Sequence, residues 1–425
     1  MSGMNKRALF GLSTLALLAG LSACAGLPLA PASDQVEKVS AATSVKGPVI
    51  LVSIDGFRGE YLHRGLTPTL SRLAGQGAWV RDGMRPSFPS ITFPNHYTLV
   101  TGLRPDRHGI VHNTMQDPTI PDVTFTLGNK AAVADRRWWD EATPVWVTAE
   151  RAGVPTATMF WPGSDTDVQG VRPSQWRLFD QKVPPRARVQ QILDWLAVPE
   201  AQRPRFLTLY FDQVDTVGHR KGPNSPEIDA ELKAIDAEIA ALLEGLKAQG
   251  LDQAATLVIV ADHGMTATAK DRSDFIDDRI APEALDVVTT GPTLGLNPKP
   301  GFEAEVAAKV PGRQGHTTCW AKADIPAQYH YGQNKRVPAY LCLADIGWVI
   351  TTRAKGNGYG DGGAHGYDPA HPDMKALFIA TGPGIRPQAL PEFDNTEVHD
   401  LLLCRLGLPP VSVTDGTGLL RARFS

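Results

Sequence analysis

Four short apolar runs, each followed by polar residues, constrain the fold of this 425-residue chain more than any other feature. Their hydrophobicity is continuous rather than alternating, which is typical of strands covered on both faces, as in a parallel sheet. Helical patterns separate the runs, for example over residues 225–250. This alternation predicts an α/β fold with a doubly wound, mostly parallel sheet and helices on both faces. The four runs are PVILVSIDGF (48–57), RFLTLYFDQVD (205–215), TLVIVADHG (256–264) and MKALFIATGPG (374–384).

The first residues are typical of an export signal rather than of the fold. Lys6 and Arg7 precede an apolar stretch that is too short to span a bilayer comfortably and that ends in Leu-Ser-Ala-Cys. This ending resembles the lipobox of bacterial lipoproteins, in which the cysteine, here Cys24, carries the lipid. We expect residues 1–24 to be a lipoprotein-type signal peptide and residues 25–46 a tether.

These expectations place the protein on the periplasmic face of a bacterial membrane, attached only through the lipid on Cys24. A plain secretory peptide would instead leave an unanchored periplasmic protein, and this alternative stays open. The formal net charge is −3 and no long basic run is present, so binding to a nucleic-acid polymer is not expected. We expect a monomer or a weak oligomer.

The rest of the chain suits one domain with an insertion. Roughly 380 residues are long for a single core but acceptable for an α/β domain at 47–425. The rhythm of strands and helices breaks at about 266–363, which is rich in Gly and Pro and predicts an inserted lobe. In an oxidising compartment a disulfide is plausible among Cys319, Cys342 and Cys404, and the pairing cannot be decided from the sequence.

The stretch PSITFPNHYTLVTG (89–102) predicts the start of a helix. Pro94 disfavours helical backbone at Phe93, and Asn95 is a suitable N-cap for the apolar residues that follow. Thr92 would then lie at the mouth of a helix, where backbone N–H groups and the helix dipole favour an anion.

Carboxylates and imidazoles at strand ends and in glycine-rich loops form the candidate site. Asp215 and His219 are four residues apart and would share one side of a helical turn. Such side chains are the ligands of Zn²⁺ in hydrolytic sites, and zinc takes about four ligands. Together with one hydroxyl they predict a site for two Zn²⁺ ions with open positions. The candidate residues are Asp55, Thr92, Asp215, His219, Asp262, His263 and His365.

Five segments resemble the nucleotide pyrophosphatase/phosphodiesterase family of the alkaline phosphatase superfamily. They are SIDGF, TFPNHYTLVTGLRPDRHGIVHN, YFDQVDTVGH, VADHGM and GAHGYDP, and they span nearly the whole mature chain in the family's order. The resemblance implies an alkaline phosphatase-like fold. It also implies that one zinc ion is bound by Asp215, His219 and His365. The other would be bound by Asp55, Asp262, His263 and the nucleophile Thr92.

The same resemblance implies hydrolysis of nucleotide phosphodiester or phosphoanhydride bonds to a nucleoside 5′-monophosphate, through a covalent phosphothreonine at Thr92. Asn113 would donate to a phosphoryl oxygen, and Phe93 and Tyr210 would enclose the nucleobase. Phe93 offers an apolar wall beside the nucleophile, which favours a diester over a monoester. Ile91 stands where a sulfatase would carry arginine, so that family is disfavoured.

Two alternatives remain open at this stage. The same site could act on a choline or glycerol phosphodiester, or the chain could be a catalytically silent exported binding lipoprotein. The first alternative keeps the metal site and changes only the substrate arm, whereas the second requires no metal at all.

Overall fold

The computed structural model describes residues 47–356 and 358–424. The expected signal peptide, the tether and Cys24 lie outside these residues. Among the helices that the structure describes, none combines the length and the apolar character needed to cross a bilayer.

Strands make up one large sheet and four smaller ones in the described residues. The strands are β1 (Val49–Ile54), β2 (Ala78–Val80), β3 (Thr114–Asp117), β4 (Ile120–Thr126), β5 (Thr156–Met159), β6 (Gln175–Trp176), β7 (Phe206–Phe211), β8 (Thr256–Val260), β9 (Thr266–Ala267), β10 (Ser273–Phe275), β11 (Leu285–Val287), β12 (Thr293–Pro298), β13 (Gly312–Gln314), β14 (Thr317–Ala321), β15 (Tyr340–Ala344), β16 (Val349–Thr351), β17 (Gly363–Ala364), β18 (Phe378–Thr381) and β19 (Gln388–Leu390).

Helices connect these strands and cover the large sheet on both sides. They are α1 (Pro68–Gln76), α2 (Thr92–Thr101), α3 (Pro105–His108), α4 (Lys130–Val133), α5 (Val145–Arg151), α6 (Pro185–Leu196), α7 (Gln213–Lys221), α8 (Pro226–Ala248), α9 (Glu303–Lys309), α10 (Glu397–Arg405) and α11 (Leu419–Phe424).

The large sheet has the strand order β19-β2-β18-β8-β1-β7-β5-β6. At its centre β1 pairs in parallel with β7 on one side and with β8 on the other. Every residue of these three strands is buried, as expected for continuous apolar runs. The predicted α/β fold with a mostly parallel sheet and helices on both faces is therefore confirmed.

One of the four apolar runs lies in the sheet in the opposite direction. The run at 374–384 contains β18, which pairs antiparallel with both β8 and β2. An antiparallel strand that is buried on both faces has the same continuous hydrophobicity as a parallel one, so the sequence pattern could not distinguish them. The carboxyl end of β18 consequently points away from the edge where β1, β7 and β8 end.

The helix predicted from Asn95 begins three residues earlier. The first residue of α2 is Thr92, so Pro94 lies in the first helical turn, where a missing N–H costs no helical hydrogen bond. Asn95 is therefore not an N-cap. Its amide instead donates to the carbonyls of Pro89 and Ile91 and accepts from the N–H of Ser87, which fixes the loop before the helix.

A second, antiparallel sheet lies within the segment 266–363. Its strand order is β11-β12-β15-β14-β13. Leu294, Leu296 and Cys342 belong to a hydrophobic cluster separate from the main core, whereas Tyr331 and Leu341 of the same segment pack into the main core. The segment thus has its own apolar interior and is also anchored to the large domain.

A disulfide joins the central strand of this second sheet to one of its neighbours. Cys319 on β14 and Cys342 on β15 are opposite each other in register and are bonded, while Cys404 on α10 is unpaired and half-buried. The bond joins residues 23 positions apart. A cross-link of this loop length stabilises a fold by about 2–4 kcal/mol, mainly by restricting the unfolded chain.

We predict that Cys342→Ala lowers the free energy of unfolding by about 2–4 kcal/mol, because the unfolded chain gains conformational freedom. Thermal and denaturant unfolding measure this change. The matched control is Cys404→Ala, which breaks no cross-link and is expected to change stability by less. Alkylation before and after reduction should differ by two thiols in the wild type, and an unchanged count would contradict the disulfide.

Candidate active site

Three neighbouring strands of the large sheet deliver ligand side chains to one edge. Asp55 immediately follows β1, and Asp262 and His263 follow β8 two and three residues beyond its last residue. Asp215 and His219 lie on α7, which begins two residues after β7 ends. Because β8, β1 and β7 are adjacent and parallel, their carboxyl ends bring these five side chains into one region.

Two residues from other elements complete the set. Thr92 is 8% exposed, and its Oγ1 lies 3.4 Å from Nε2 of His263. His365 follows β17 directly, and its ring stacks on that of His263 with a centroid separation of 3.5 Å. All seven residues named from the sequence as metal ligands therefore lie in one continuous cluster.

The cluster divides into two groups of convergent ligand atoms. Asp215, His219 and His365 form one group, and Asp55, Asp262 and His263 form the other. Within each group the ligand atoms lie within 4.8 Å of one another. Three protein ligands with room for further ones is the usual arrangement of a catalytic metal site.

Backbone carbonyls orient the three imidazoles. Nδ1 of His219 lies 2.8 Å from the carbonyl oxygen of Gly363, Nδ1 of His365 2.9 Å from that of Ser90, and Nδ1 of His263 2.9 Å from that of Gly264. A carbonyl can only accept, so each Nδ1 donates, and in the neutral ring Nε2 then carries a lone pair. This is how histidine ligands are held towards a metal ion.

The ligand atoms need cations that the protein itself does not supply. In the described residues, Oδ1 of Asp55 and Oδ1 of Asp215 are buried without a hydrogen-bond partner. Nε2 of His365 lies 3.0 Å from Nε2 of His219, although both are acceptors in the tautomer described above. Unpaired buried acceptors are costly. The residues present therefore fit a pair of bound metal ions.

The shifts in pKa of the ligand side chains show the same lack of neutralising charge. Burial raises the pKa of Asp55 well above its usual value, and the carboxylates of Asp262 and Asp215 add repulsion. Burial lowers the pKa of His365, and neighbouring His263 lowers it further. Without ions between them, the carboxylates cannot all be ionised at once, and the imidazoles cannot all be protonated at once.

Asp262 behaves differently because imidazoles surround it. Burial by itself would raise the pKa of Asp262, but His263 and His96 hold it well below its usual value. Nε2 of His263 lies 2.9 Å from Oδ2 of Asp262. His96, one helical turn after Thr92, places Nδ1 2.9 Å from the carbonyl oxygen of Thr92 and Nε2 2.8 Å from Oγ of Ser53. His96 therefore connects the first turn of α2 to β1 and lies next to the carboxylate of Asp262.

Asn113 is connected directly to the start of α2. Its Oδ1 accepts a hydrogen bond of 2.9 Å from the N–H of Phe93, the residue after Thr92. Because the oxygen is engaged, the amide is oriented and its NH₂ group remains the free end. This bond could not be inferred from the sequence, which suggested Asn113 only through the family resemblance.

An apolar pocket of about 270 Å³ borders the cluster. Phe93 and Tyr210 both line it. Tyr210, however, is only 9% exposed, and its hydroxyl donates a 2.6 Å hydrogen bond to Oδ2 of Asp55. Sequence reasoning missed this bond, and it also missed Phe179, which lines the same pocket with 40% of its surface exposed. Nothing in the local pattern around Phe179 sets it apart from a surface loop.

Comparisons with known proteins agree with this geometry. Residues 49–368 match the family described as type I phosphodiesterase / nucleotide pyrophosphatase. An uncharacterised pyrophosphatase/phosphodiesterase of Schizosaccharomyces pombe is 36% identical over 85% of this chain and 77% of its own length. Ectonucleotide pyrophosphatase/phosphodiesterase family member 1 of Rattus norvegicus is 34% identical over 88% of this chain, but the match spans only 42% of that protein.

Solved structures show the same relationship in three dimensions. Murine ectonucleotide pyrophosphatase/phosphodiesterase 5 superposes with a TM-score of 0.83 at 32% identity, covering 89% of this chain and 99% of the murine chain. An inactive variant of the murine protein, solved in complex with AMP, matches with the same TM-score at 31% identity. The chain therefore belongs to the type I phosphodiesterase/nucleotide pyrophosphatase family, whose members are hydrolases of phosphodiester and phosphoanhydride bonds.

Proposed function

We propose that this protein is a zinc-dependent nucleotide pyrophosphatase/phosphodiesterase that releases a nucleoside 5′-monophosphate through a phosphothreonine at Thr92. One observation carries the proposal. Two groups of buried Asp and His ligand atoms converge beside the hydroxyl of Thr92, which is the first residue of a helix. The hydroxyl can act as a nucleophile, the helix end favours an anion, and two metal sites can stabilise the attacking and leaving oxygens of phosphoryl transfer.

The proposed ions are two Zn²⁺ per chain. Mixed nitrogen and oxygen ligands suit zinc better than an all-oxygen set would. Asp215, His219 and His365 would hold one ion, and Asp55, Asp262 and His263, with Thr92, the other. When bound, the ions would lower the pKa of the threonine hydroxyl and neutralise charge on the phosphoryl group.

Thr92 acts as the nucleophile. Its Oγ1 gives up its proton to solvent and forms a bond to phosphorus while the bond from phosphorus to the leaving oxygen breaks. Water then cleaves the phosphothreonine: its hydroxyl stays on the released monophosphate, and a proton returns to Oγ1 of Thr92. Two displacements in line restore the original configuration at phosphorus. Within the first turn of α2, Pro94 has no N–H and the N–H of Phe93 is bonded to Asn113. The helix therefore favours the phosphoryl charge through the positive end of its dipole and the N–H of Thr92.

Asn113 stabilises the phosphoryl oxygen in the transition state. Its amide oxygen is occupied by the N–H of Phe93, so its NH₂ group is the end that is left to donate to a phosphoryl oxygen. A donor that is oriented before the substrate binds needs no rearrangement during the reaction. This preorganisation is the main way in which such donors accelerate group transfer.

The apolar pocket receives the nucleobase. Phe93 and the exposed ring of Phe179 line it, and Trp161 and Phe160 contribute further aromatic surface. Stacking on aromatic rings is tolerant of base identity. Tyr210 forms part of the pocket wall and positions Asp55 through its hydroxyl. The AMP complex of the murine relative supports a nucleotide as substrate.

The enzyme is proposed to act outside the cytoplasm, with small nucleotides rather than nucleic-acid polymers as substrates. The disulfide between Cys319 and Cys342 supports an oxidising compartment. The lipid anchor at Cys24 remains a proposal from the sequence, since that residue lies outside the described part of the chain.

Replacing Thr92 tests the nucleophile. Thr92→Ala is expected to lower kcat by at least about 10³-fold, because no other hydroxyl takes its place. Thr92→Ser, which keeps a hydroxyl, is the matched control and should retain much more activity. When the wild type is quenched with acid during turnover, the peptide that contains Thr92 should be heavier by the mass of the substrate's nucleotidyl group. Turnover by Thr92→Ala at the wild-type rate would exclude the mechanism.

Metal removal tests the cofactor. Dialysis against a chelator should abolish diester hydrolysis and lower the unfolding temperature, since ions that bind only the folded state stabilise it. Adding Zn²⁺ should restore both, and metal analysis should find two ions per chain. His365→Ala should lower this content, whereas His316→Ala, on the surface of the lobe, should not. A purified protein with less than about one zinc ion per chain would contradict the proposal.

Two variants separate base binding from chemistry. Phe179→Ala should raise KM for a p-nitrophenyl nucleotide diester about tenfold, because it removes a stacking surface, and should leave hydrolysis of methyl p-nitrophenyl phosphate unchanged. Tyr210→Phe keeps the ring but loses the bond to Asp55, so it should slow both substrates alike. Faster turnover of p-nitrophenylphosphocholine than of the nucleotide by the wild type would favour a choline diester instead.

A further inference from the structure

A segment of the inserted lobe lies against the loop that carries Asn113. We define the strap as residues 331–336, which run without helix or strand between residues 327–329 and β15. We define the donor loop as residues 109–113, between α3 and β3. The two segments are more than two hundred positions apart in sequence and are joined by two buried hydrogen bonds.

Tyr331 holds the donor loop close to Asn113. Its hydroxyl donates a 3.1 Å hydrogen bond to the carbonyl of Val111, two residues before Asn113, and the ring is buried against Phe88. His112, between them, places Nε2 3.3 Å from Oγ1 of Thr293 on β12, another lobe residue. The two residues before Asn113 are thus both bonded to the lobe, Val111 through its carbonyl and His112 through its side chain.

Arg336 holds the start of the loop and the strand beyond it. Its guanidinium is almost completely buried and donates to the carbonyls of Gly109 at 2.8 Å and Trp138 at 2.7 Å. Its Nε also donates to Asp117 at the end of β3 at 2.6 Å. Gly109 has a φ of +80°, and a Cβ there would lie 2.7 Å from Nη1 of Arg336, so the close approach requires glycine.

The attachment is mutual, because the large domain also orders the strap. The carboxylate of Asp106 on α3 accepts from the N–H groups of Gly332, Gln333 and Asn334, at 3.1, 2.6 and 2.9 Å. Three consecutive backbone donors on one carboxylate fix the conformation of the strap. The strap therefore contacts residues before, within and after the donor loop, and its own backbone is held in place.

From these contacts we infer that the strap is a positioning device for catalysis: Tyr331 and Arg336 set the place of the Asn113 amide through the donor loop. Neither residue contacts the reacting atoms, and both act through Asn113. The inference rests on the role proposed above for Asn113. Catalytic hydrogen bonds depend steeply on geometry, so a shift of this loop should reduce the rate rather than substrate affinity.

A double-mutant cycle between the strap and Asn113 tests this inference. Tyr331→Phe removes one hydroxyl and preserves the packed ring, so it is expected to fold. It should lower kcat for a p-nitrophenyl nucleotide diester about fivefold, the size of one neutral hydrogen bond, with KM and the unfolding temperature nearly unchanged. Asn113→Ala alone should lower kcat about 10²-fold. In the Asn113→Ala protein, Tyr331→Phe should have no further effect on kcat.

Further variants separate positioning from stability. Arg336→Lys keeps the charge but cannot reach the same acceptors, and it should lower kcat more than Tyr331→Phe, again only when Asn113 is present. Lys335→Ala is the control within the strap. Its Nζ pairs with Asp117 and Oγ1 of Thr119 on the β3–β4 hairpin and does not bond to the donor loop, so kcat should stay within about twofold.

The outcomes are distinguishable. Equal losses from Tyr331→Phe with and without Asn113, or no loss in the wild-type background, would overturn the positioning role and leave the proposed function intact. If Asn113→Ala itself retains full kcat, both the positioning role and the proposed role of Asn113 are wrong.

Discussion

The rest of this structure depends on one constraint. Six ligand side chains are held together without neutralising partners. Three carboxylates and three imidazoles meet where β8, β1 and β7 end, and most of them are buried. Such a cluster opposes folding unless cations occupy it, because unpaired buried polar groups are costly. The surrounding structure therefore has to be rigid. The all-buried strands and the carbonyl bonds to the imidazoles supply that rigidity.

The core of the fold and the proximity of the site residues followed from the sequence for a simple physical reason. Continuous apolar runs identified β1, β7 and β8, and parallel strands bring their carboxyl ends to the same edge. The direction of β18 could not be predicted, since burial on both faces gives the same pattern in either direction. Likewise Pro94 suggested a later helix start than Thr92, because its effect depends on whether it falls in the first turn.

Details that depend on side-chain partners were beyond the reach of the sequence. The hydroxyl of Tyr210 bonds to Asp55, and the amide oxygen of Asn113 bonds to the N–H of Phe93. Each bond joins residues that only the folded chain brings together. Phe179 was missed for a related reason, because its importance comes from the pocket around it. The strap shows the same limit on a larger scale, since its contacts with the donor loop link two distant parts of the chain.

The bonds from the imidazoles to backbone carbonyls have an electrostatic consequence. A carbonyl orients a histidine without adding a formal charge, whereas a carboxylate in the same place would add one negative charge per ligand. With carbonyls at Gly264, Gly363 and Ser90, the ligand set contributes only the three negative charges of its aspartates. Two divalent ions would then leave the centre with a surplus of one positive charge as long as the hydroxyl of Thr92 keeps its proton. A singly charged diester would be drawn into such a centre, and the product monoester, with its second charge, would be held there more firmly.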